Sequence, residues 1–285
     1  MSEDFPAVPA FPAFPATGAD FSLHRRHWLG ARDDRVLAIV HGLAEHSARY
    51  DHVGRYFAER GFAVHAFDQR GHGLSGGPRV FAPSLDALLD DIEAFLDLLR
   101  TEHPGRPIVL MGHSMGGLEV ASLLVMRSPA IEAAVLSGPA LRLGDSAGPV
   151  RLALGRALAR VAPKLQIPSG LPPEAISRDP RVVADYQADP LVPATISVGL
   201  ASVLTASIRG LEERGADVGV PLMIVHGEAD SLCPVDGSRA FYAGVTTPGS
   251  ELKIYPELYH EVFNEPERDR VLADVAEWLD KRGPA

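Results

Sequence analysis

Residues 107–117 read PIVLMGHSMGG, and the reading of this stretch decides the fold. A short apolar run, Pro107 to Gly112, has the length and content of a buried strand. It passes into Gly112-His113-Ser114-Met115-Gly116, a G-x-S-x-G pattern, and residues 115–127 continue at helical spacing. Strand, sharp turn and helix in that order give each glycine a steric purpose. They permit the tight turn that exposes the serine hydroxyl and let neighbouring backbone come close. The helix that follows directs its first amides at the serine, where developing negative charge is favoured. A serine that only shapes the turn is the plain alternative, and the strand–turn–helix context argues against it. Ser114 is the candidate nucleophile.

On either side the chain repeats the same rhythm. RVLAIVHG (35–42), FAVHAFD (62–68), IEAAVLSG (131–138), VPLMIVHG (220–227) and ELKIYP (251–256) are strand-like runs. Between them lie helical patterns: Tyr50, Val53 and Phe57 ahead of a stop at Gly61, then a wide apolar face from Leu85 to Leu99 that Ser84 can cap. A last helix carries Leu272, Val275, Trp278 and Leu279 on one face. Alternation of this kind predicts an α/β fold, a mostly parallel central sheet flanked by helices. The core is expected over residues 21–141 and 219–285. The rhythm breaks over 142–218, where helical stretches at 150–161 and 195–211 flank a proline-rich, irregular segment containing LPPEAISRDP (171–180). An insertion there is expected to form a cap over the carboxyl ends of the strands, where ligands bind in open α/β sheets.

A serine hydroxyl is a weak nucleophile near neutral pH and needs a base, which in turn needs an orienting acid. His260 follows the strand at 251–256, and Asp230 follows the strand at 220–227. The chain order Ser114, Asp230, His260 and the placement of each after a strand end allow all three to converge at one edge of the sheet. Glu228 and Asp236 are the rival acids; Asp230 is preferred because the turn after its strand aims it at the histidine. The other histidines, His24, His27, His52 and His103 among them, read as surface or satisfied core residues. An oxyanion needs amide donors, and the sequence offers Met115, after the nucleophile, and Leu43, in the loop after the first core strand.

Composition narrows the rest. Lys and Arg number 27 against 37 Asp and Glu, a net charge of −10, and no basic run marks a polyphosphate stripe, so nucleic acid is not an expected partner. No zinc-like spacing appears: His41 with His46, or His65 with His72, are pairs without a third ligand, so neither metal nor cofactor is expected. GHGLSGG (71–77) lacks the Gly-Lys-Ser/Thr ending of a phosphate loop. Cys233 is the single cysteine, which excludes an internal disulfide; its place three residues after Asp230 sets it either beside the pocket or in the core. Residues 1–20 lack a basic leader and are broken by Pro6, Pro9, Pro12 and Pro15. They are expected to form a flexible, Pro/Ala-rich arm whose Phe5, Phe11 and Phe14 offer a way to lie on an apolar groove. With no signal peptide or membrane span evident, a cytoplasmic location is expected.

Several blocks then fall into place together: HGLAEHSARY (41–50), FDQRGHGLSGG (67–77), GHSMGG (112–117), SRDP (177–180) with YQADPL (186–191), HGEADSLCP (226–234) and YHEVFNEP (259–266). In this combination the chain, from about residue 22 to 282, resembles the monoacylglycerol lipase family of lysophospholipase-like α/β-hydrolases. The resemblance implies the α/β-hydrolase fold with a helical cap. It implies cleavage of a monoacylglycerol to fatty acid and glycerol through an acyl-enzyme, without a cofactor, and transient contact of the cap with a lipid surface. It implies Ser114, Asp230 and His260 as the triad, Leu43 and Met115 as oxyanion amides, and Tyr186 as a residue holding the glycerol end. Val182 departs from the family pattern, which leads one to expect an acidic residue four positions before that tyrosine. A lysophospholipase and a short- or medium-chain carboxylesterase remain alternatives on the same triad. A proline-specific aminopeptidase shares the fold, and a hydrolase-fold binding protein without catalysis is the reading from another class. Fold analogy alone would also admit dehalogenase or epoxide-hydrolase chemistry, but those use an aspartate where Ser114 stands.

Overall fold

Strands β3 (Arg35–Val40), β5 (Ile108–His113), β6 (Ala133–Ser137) and β9 (Leu222–Gly227) are buried at every position. Unbroken apolar runs of this kind belong in a parallel sheet covered on both faces. In the computed structural model, which describes residues 11–142 and 157–282, they form the centre of an eight-stranded sheet. Its order is β1-β2-β4-β3-β5-β6-β9-β10, with β1 (Phe11–Pro15), β2 (Ser22–Trp28), β4 (Phe62–Phe67) and β10 (Glu251–Tyr255) outside the central four. From β4 to β10 each neighbouring pair is parallel, while β1 and β2 extend the β4 edge antiparallel.

Helices α1 (Asp51–Ala58), α2 (Leu85–Glu102), α3 (Met115–Arg127), α4 (Pro180–Ala188), α5 (Val198–Ile208), α6 (Val235–Gly244) and α7 (Arg268–Asp280) follow in chain order. Helices α1 and α7 pack on one face of the sheet with Trp28, Phe57, Tyr255 and Trp278. On the other face, α2, α3 and α6 contribute Phe95, Leu118 and Phe241 to one apolar cluster that includes Phe67. Ser84 caps α2 as its sequence predicts, its hydroxyl accepting the Ala87 amide at 3.1 Å, a contact worth about 1 kcal/mol. The fold is the α/β-hydrolase arrangement expected from the alternation of strands and helices.

Two expectations need correction. The flexible arm placed over residues 1–20 is, in its second half, part of the sheet. Residues 11–15 form β1, and Phe14 is buried against Phe67 and Phe95, with ring centroids 5.6 and 5.7 Å away. Burying that ring stabilises the edge by about 1.5–3 kcal/mol. Thr17 then anchors the arm, its amide donating to Asp91 at 2.8 Å; residues 1–10, with Phe5, lie outside the described residues. The second correction is α4, in the stretch read as irregular: Asp179 caps it by accepting the Arg181 amide, and Pro180 occupies its first position, where no intrahelical amide is lost.

Within residues 142–218, β7 (Gln166–Pro168) pairs antiparallel with β8 (Thr195–Ser197), apart from the main sheet. Helix α5 begins only after β8, and the helical stretch expected from residue 150 lies outside the described residues as far as 156. Hydrogen bonds at several places tie this insertion to the core. Ser197 donates its amide (3.2 Å) and hydroxyl (2.7 Å) to Val80 O. His46 Nε2 meets Asp189 Oδ2 at 2.8 Å. Arg178 Nε donates to Glu265 at 2.9 Å while the Glu261 amide reaches Ile176 O at 2.8 Å. Among the described residues, no helix is long and apolar enough to cross a membrane.

Candidate active site

The turn between β5 and α3 holds Ser114 at φ 52°, ψ −114°, a left-handed setting that L-residues adopt only under local constraint. The constraint is visible at its glycines. A Cβ on Gly112 would sit 2.4 Å from Gly116 O, and one on Gly116 would sit 2.3 Å from Val40 O. Only hydrogen fits at either place, so the turn packs directly against the end of β3.

Ser114 and His260 meet at 2.9 Å between Oγ and Nε2. On the far side of the imidazole, Nδ1 lies 2.7 Å from Asp230 Oδ2. The loops after β5, β9 and β10 therefore bring the three predicted residues into one line. The rival acids lie elsewhere: Glu228 and Asp236 both pair with Arg239. His113, the variable residue of the motif, places its ring 4.8 Å from that of His260.

Asp230 is more heavily bonded than the sequence suggested. Its Oδ1 accepts the amides of Leu232 and Cys233, both at 2.9 Å. Its Oδ2 also accepts from His226 Nε2 at 3.1 Å. His226 Nε2 faces a second acceptor, Cys233 O at 2.8 Å, so this nitrogen carries the proton, and Nδ1 takes the Ser238 hydroxyl at 2.8 Å. Burial alone would raise the Asp230 pKa, but the His260 charge and the bonds from His226 and His260 outweigh it and hold the carboxyl ionised well below its ordinary range. For His260, burial works downward, and Asp230, Glu261 and Glu45 more than offset it, so its pKa stands above the usual value. His226 is a site residue that the sequence assignments do not include; its place four residues before Asp230 is the signal that marks it.

The loop after β3 closes the other side. A Cβ on Gly42 would come within 3.0 Å of Ser114 Cβ, which puts the Gly42–Leu43 segment over the nucleophile. Met115 stands at the first position of α3, where the amide has no intrahelical partner. Glu45 accepts the Gly42 amide and the Tyr50 hydroxyl, the latter at 2.8 Å. Arg49 donates to Glu45 at 3.0 Å, clasps Glu261 at 2.6 and 2.8 Å, and lies 4.8 Å from the ring of Tyr186 on α4. Tyr186, nearly buried, thus faces the same network as the residues around His260. Cys233 is buried close behind; burial and the Asp230 charge push its thiol pKa well up, against a weaker opposing contact with Ser114.

Among the described residues, His65, Glu102 and His103 bring three possible metal-ligand atoms together. His65 and His103 share a bond between their Nε2 atoms at 2.8 Å, and Arg25 holds both Glu102 oxygens, so this group forms a closed network.

Fold and site together define a serine hydrolase of the α/β-hydrolase class. Residues 31–267 match the family described as serine aminopeptidase, S33, and the chain belongs to this family, in which monoacylglycerol lipases are its relatives. It is 41% identical to a monoacylglycerol lipase of Mycolicibacterium smegmatis over 254 residues, covering 88% of this chain and 90% of that one. It is 29% identical to the phospholipase YtpA of Bacillus subtilis, across 89% of this chain and 98% of the relative. The crystal structure of a Paleococcus ferrophilus monoacylglycerol lipase superposes with a TM-score of 0.84 at 30% identity, covering 92% and 99% of the two chains.

Proposed function

We propose that the protein hydrolyses monoacylglycerols to fatty acid and glycerol through an acyl-enzyme. The observation that carries this reading is the unbroken line from Ser114 Oγ through His260 to Asp230, with 2.9 and 2.7 Å contacts. His260 takes the serine proton as Ser114 attacks the ester carbonyl, and returns it to the departing glycerol oxygen. Water, activated by the same histidine, then releases the acid. The amides of Leu43 and Met115 receive the oxyanion; one such donor is typically worth about 3 kcal/mol in the transition state. Tyr186, beside Arg49, is assigned to the glycerol end. The lipase relatives support a small lipid ester as substrate. Exposed Val161, Leu165 and Ile167 on the insertion support transient contact with a lipid surface.

Initial rates on monoacylglycerols of several chain lengths, di- and triacyl counterparts, a lysophospholipid and a p-nitrophenyl ester test the reading. Preference for monoacylglycerols is expected. A second reading, a lysophospholipid hydrolase, draws on the phospholipase relative and on Val182, apolar and half-buried one turn before Tyr186 on α4; preference for the lysophospholipid would select it. Tyr186→Phe should raise KM for monoacylglycerol by about tenfold, one hydrogen bond's worth, and leave the p-nitrophenyl ester unchanged. An equal effect on both substrates would take the head-group role from this residue.

The pH profile follows from the base. His260 accepts a proton only when neutral, and its pKa is raised above 6.5. Hence kcat/KM should decline as pH falls through a value above 6.5, with unit slope on a logarithmic plot. An acid limb centred below 6 would separate the titrating group from His260.

A further inference from the structure

Two consecutive peptide units, 41–42 and 42–43, lie over Ser114 and carry four polar groups, of which three are held. His41 O accepts Gln69 Nε2 at 2.6 Å. Gly42 N–H donates to Glu45 Oε1. Gly42 O meets His41 Nδ1 at 2.7 Å. The fourth, Leu43 N–H, has no hydrogen-bond partner among the described residues.

The tautomer of His41 follows from its bonds. Gln69 N–H donates to His41 Nε2 at 2.8 Å, so Nε2 is the bare nitrogen and Nδ1 bears the proton that Gly42 O accepts. Burial lowers the His41 pKa against smaller raising effects of Glu45, Asp68 and the Gly42 carbonyl, and keeps the ring neutral. Gly42 C=O and Leu43 N–H belong to one planar trans peptide and point to opposite sides of it. A ring that grips the oxygen on one side therefore turns the amide to the other.

We infer that His41 and Gln69 are positioning residues which, acting through the Gly42–Leu43 peptide plane, aim the Leu43 amide at the oxyanion. This rests on the assignment of Leu43 and Ser114 proposed above. Gln69 acts twice, fixing the His41 carbonyl with its side chain and the His41 tautomer with its backbone. Both residues are buried, at 1% and 2% exposure for His41 and Gln69, so the arrangement is shielded from water that would compete for the same groups.

The test uses the full chain and a soluble p-nitrophenyl ester. His41→Phe removes both ring bonds, and Gln69→Met removes the side-chain donor at similar volume. Each should lower kcat by about 10²-fold, the loss of one oxyanion donor, with KM changed less than about threefold. His41→Asn keeps an N–H near the Nδ1 position and should recover kcat to within about tenfold of the parent. Inhibition by a boronic acid, a mimic of the tetrahedral intermediate, should weaken in step with kcat/KM. The 15N spectrum of the His41 ring should show a protonated Nδ1 and a bare Nε2, and this readout stands even where Gln69→Met fails to fold. Folded His41→Phe and Gln69→Met proteins turning over at the parent rate, while Ser114→Ala is inactive, would overturn the inference and leave the nucleophile standing. A His41 ring protonated at Nε2 would overturn it too. Activity retained by Ser114→Ala would instead remove the site assignment on which it rests.

Discussion

Alanine in place of Ser114 is expected to lower kcat by about 10⁵- to 10⁶-fold. The change deletes one oxygen, the atom 2.9 Å from His260 Nε2, and leaves the base with nothing to activate except water. Oxyanion donors and substrate binding alone still accelerate hydrolysis by about 10³-fold over solution, and that remnant sets the floor. Alanine inherits the same φ of 52° with the same backbone strain, so thermal stability should stay close to that of the parent protein. Titration of released acid gives the rate, and a fluorophosphonate probe should label the parent enzyme and not the variant. Turnover within tenfold of the parent would take the nucleophilic role away from Ser114.

Asp230→Asn is the second large effect, about 10⁴-fold in kcat. The environment of the carboxylate explains why a near-isosteric change is so costly. Asp230 accepts from four donors: two backbone amides on Oδ1, and His260 and His226 on Oδ2. Asparagine must turn its NH₂ toward one pair or the other, and either choice sets donor against donor. If the NH₂ faces His260, the imidazole has to present a bare Nδ1 and hence a protonated Nε2, which is useless as a base toward Ser114. If it faces the amides of Leu232 and Cys233, the loop itself loosens. The variant should therefore lose roughly 1–3 kcal/mol of stability as well as rate, measured by urea denaturation. A small loss of rate would transfer the acid's role to another carboxylate.

The central strands and the three converging residues were legible because their signals are local. An apolar run of six with glycine at its end has few other uses, and the turn after each strand lies within a few residues of Ser114, Asp230 and His260. What escaped is what depends on distant partners. Nothing within residues 11–15 announces a strand; β1 exists because Phe14 finds Phe67 and Phe95. Arg49 stands in the block HGLAEHSARY (41–50), where its charge alone names no partner. Its clasp on Glu261, 212 residues away, depends on the sheet bringing two loops together. His226 and Gln69 belong to the same class. Each reads as an ordinary polar residue until its neighbours are known, although His226 lies in HGEADSLCP (226–234) and Gln69 in FDQRGHGLSGG (67–77).

The edge strand β1 has a consequence for how these molecules meet one another. An exposed sheet edge is a template on which a second chain can add by main-chain pairing, the first step of strand-by-strand aggregation. Among the described residues the outermost strand is Phe-Pro-Ala-Phe-Pro, so Pro12 and Pro15 have no N–H to offer an incoming chain, and the pairing register is already interrupted between Phe11 and Phe14. The same five residues that bury an aromatic ring on their inner side present a broken ladder on the outer one. The proline content that made this segment look unstructured thus ends the sheet on this side, so self-association by added strands starts poorly there.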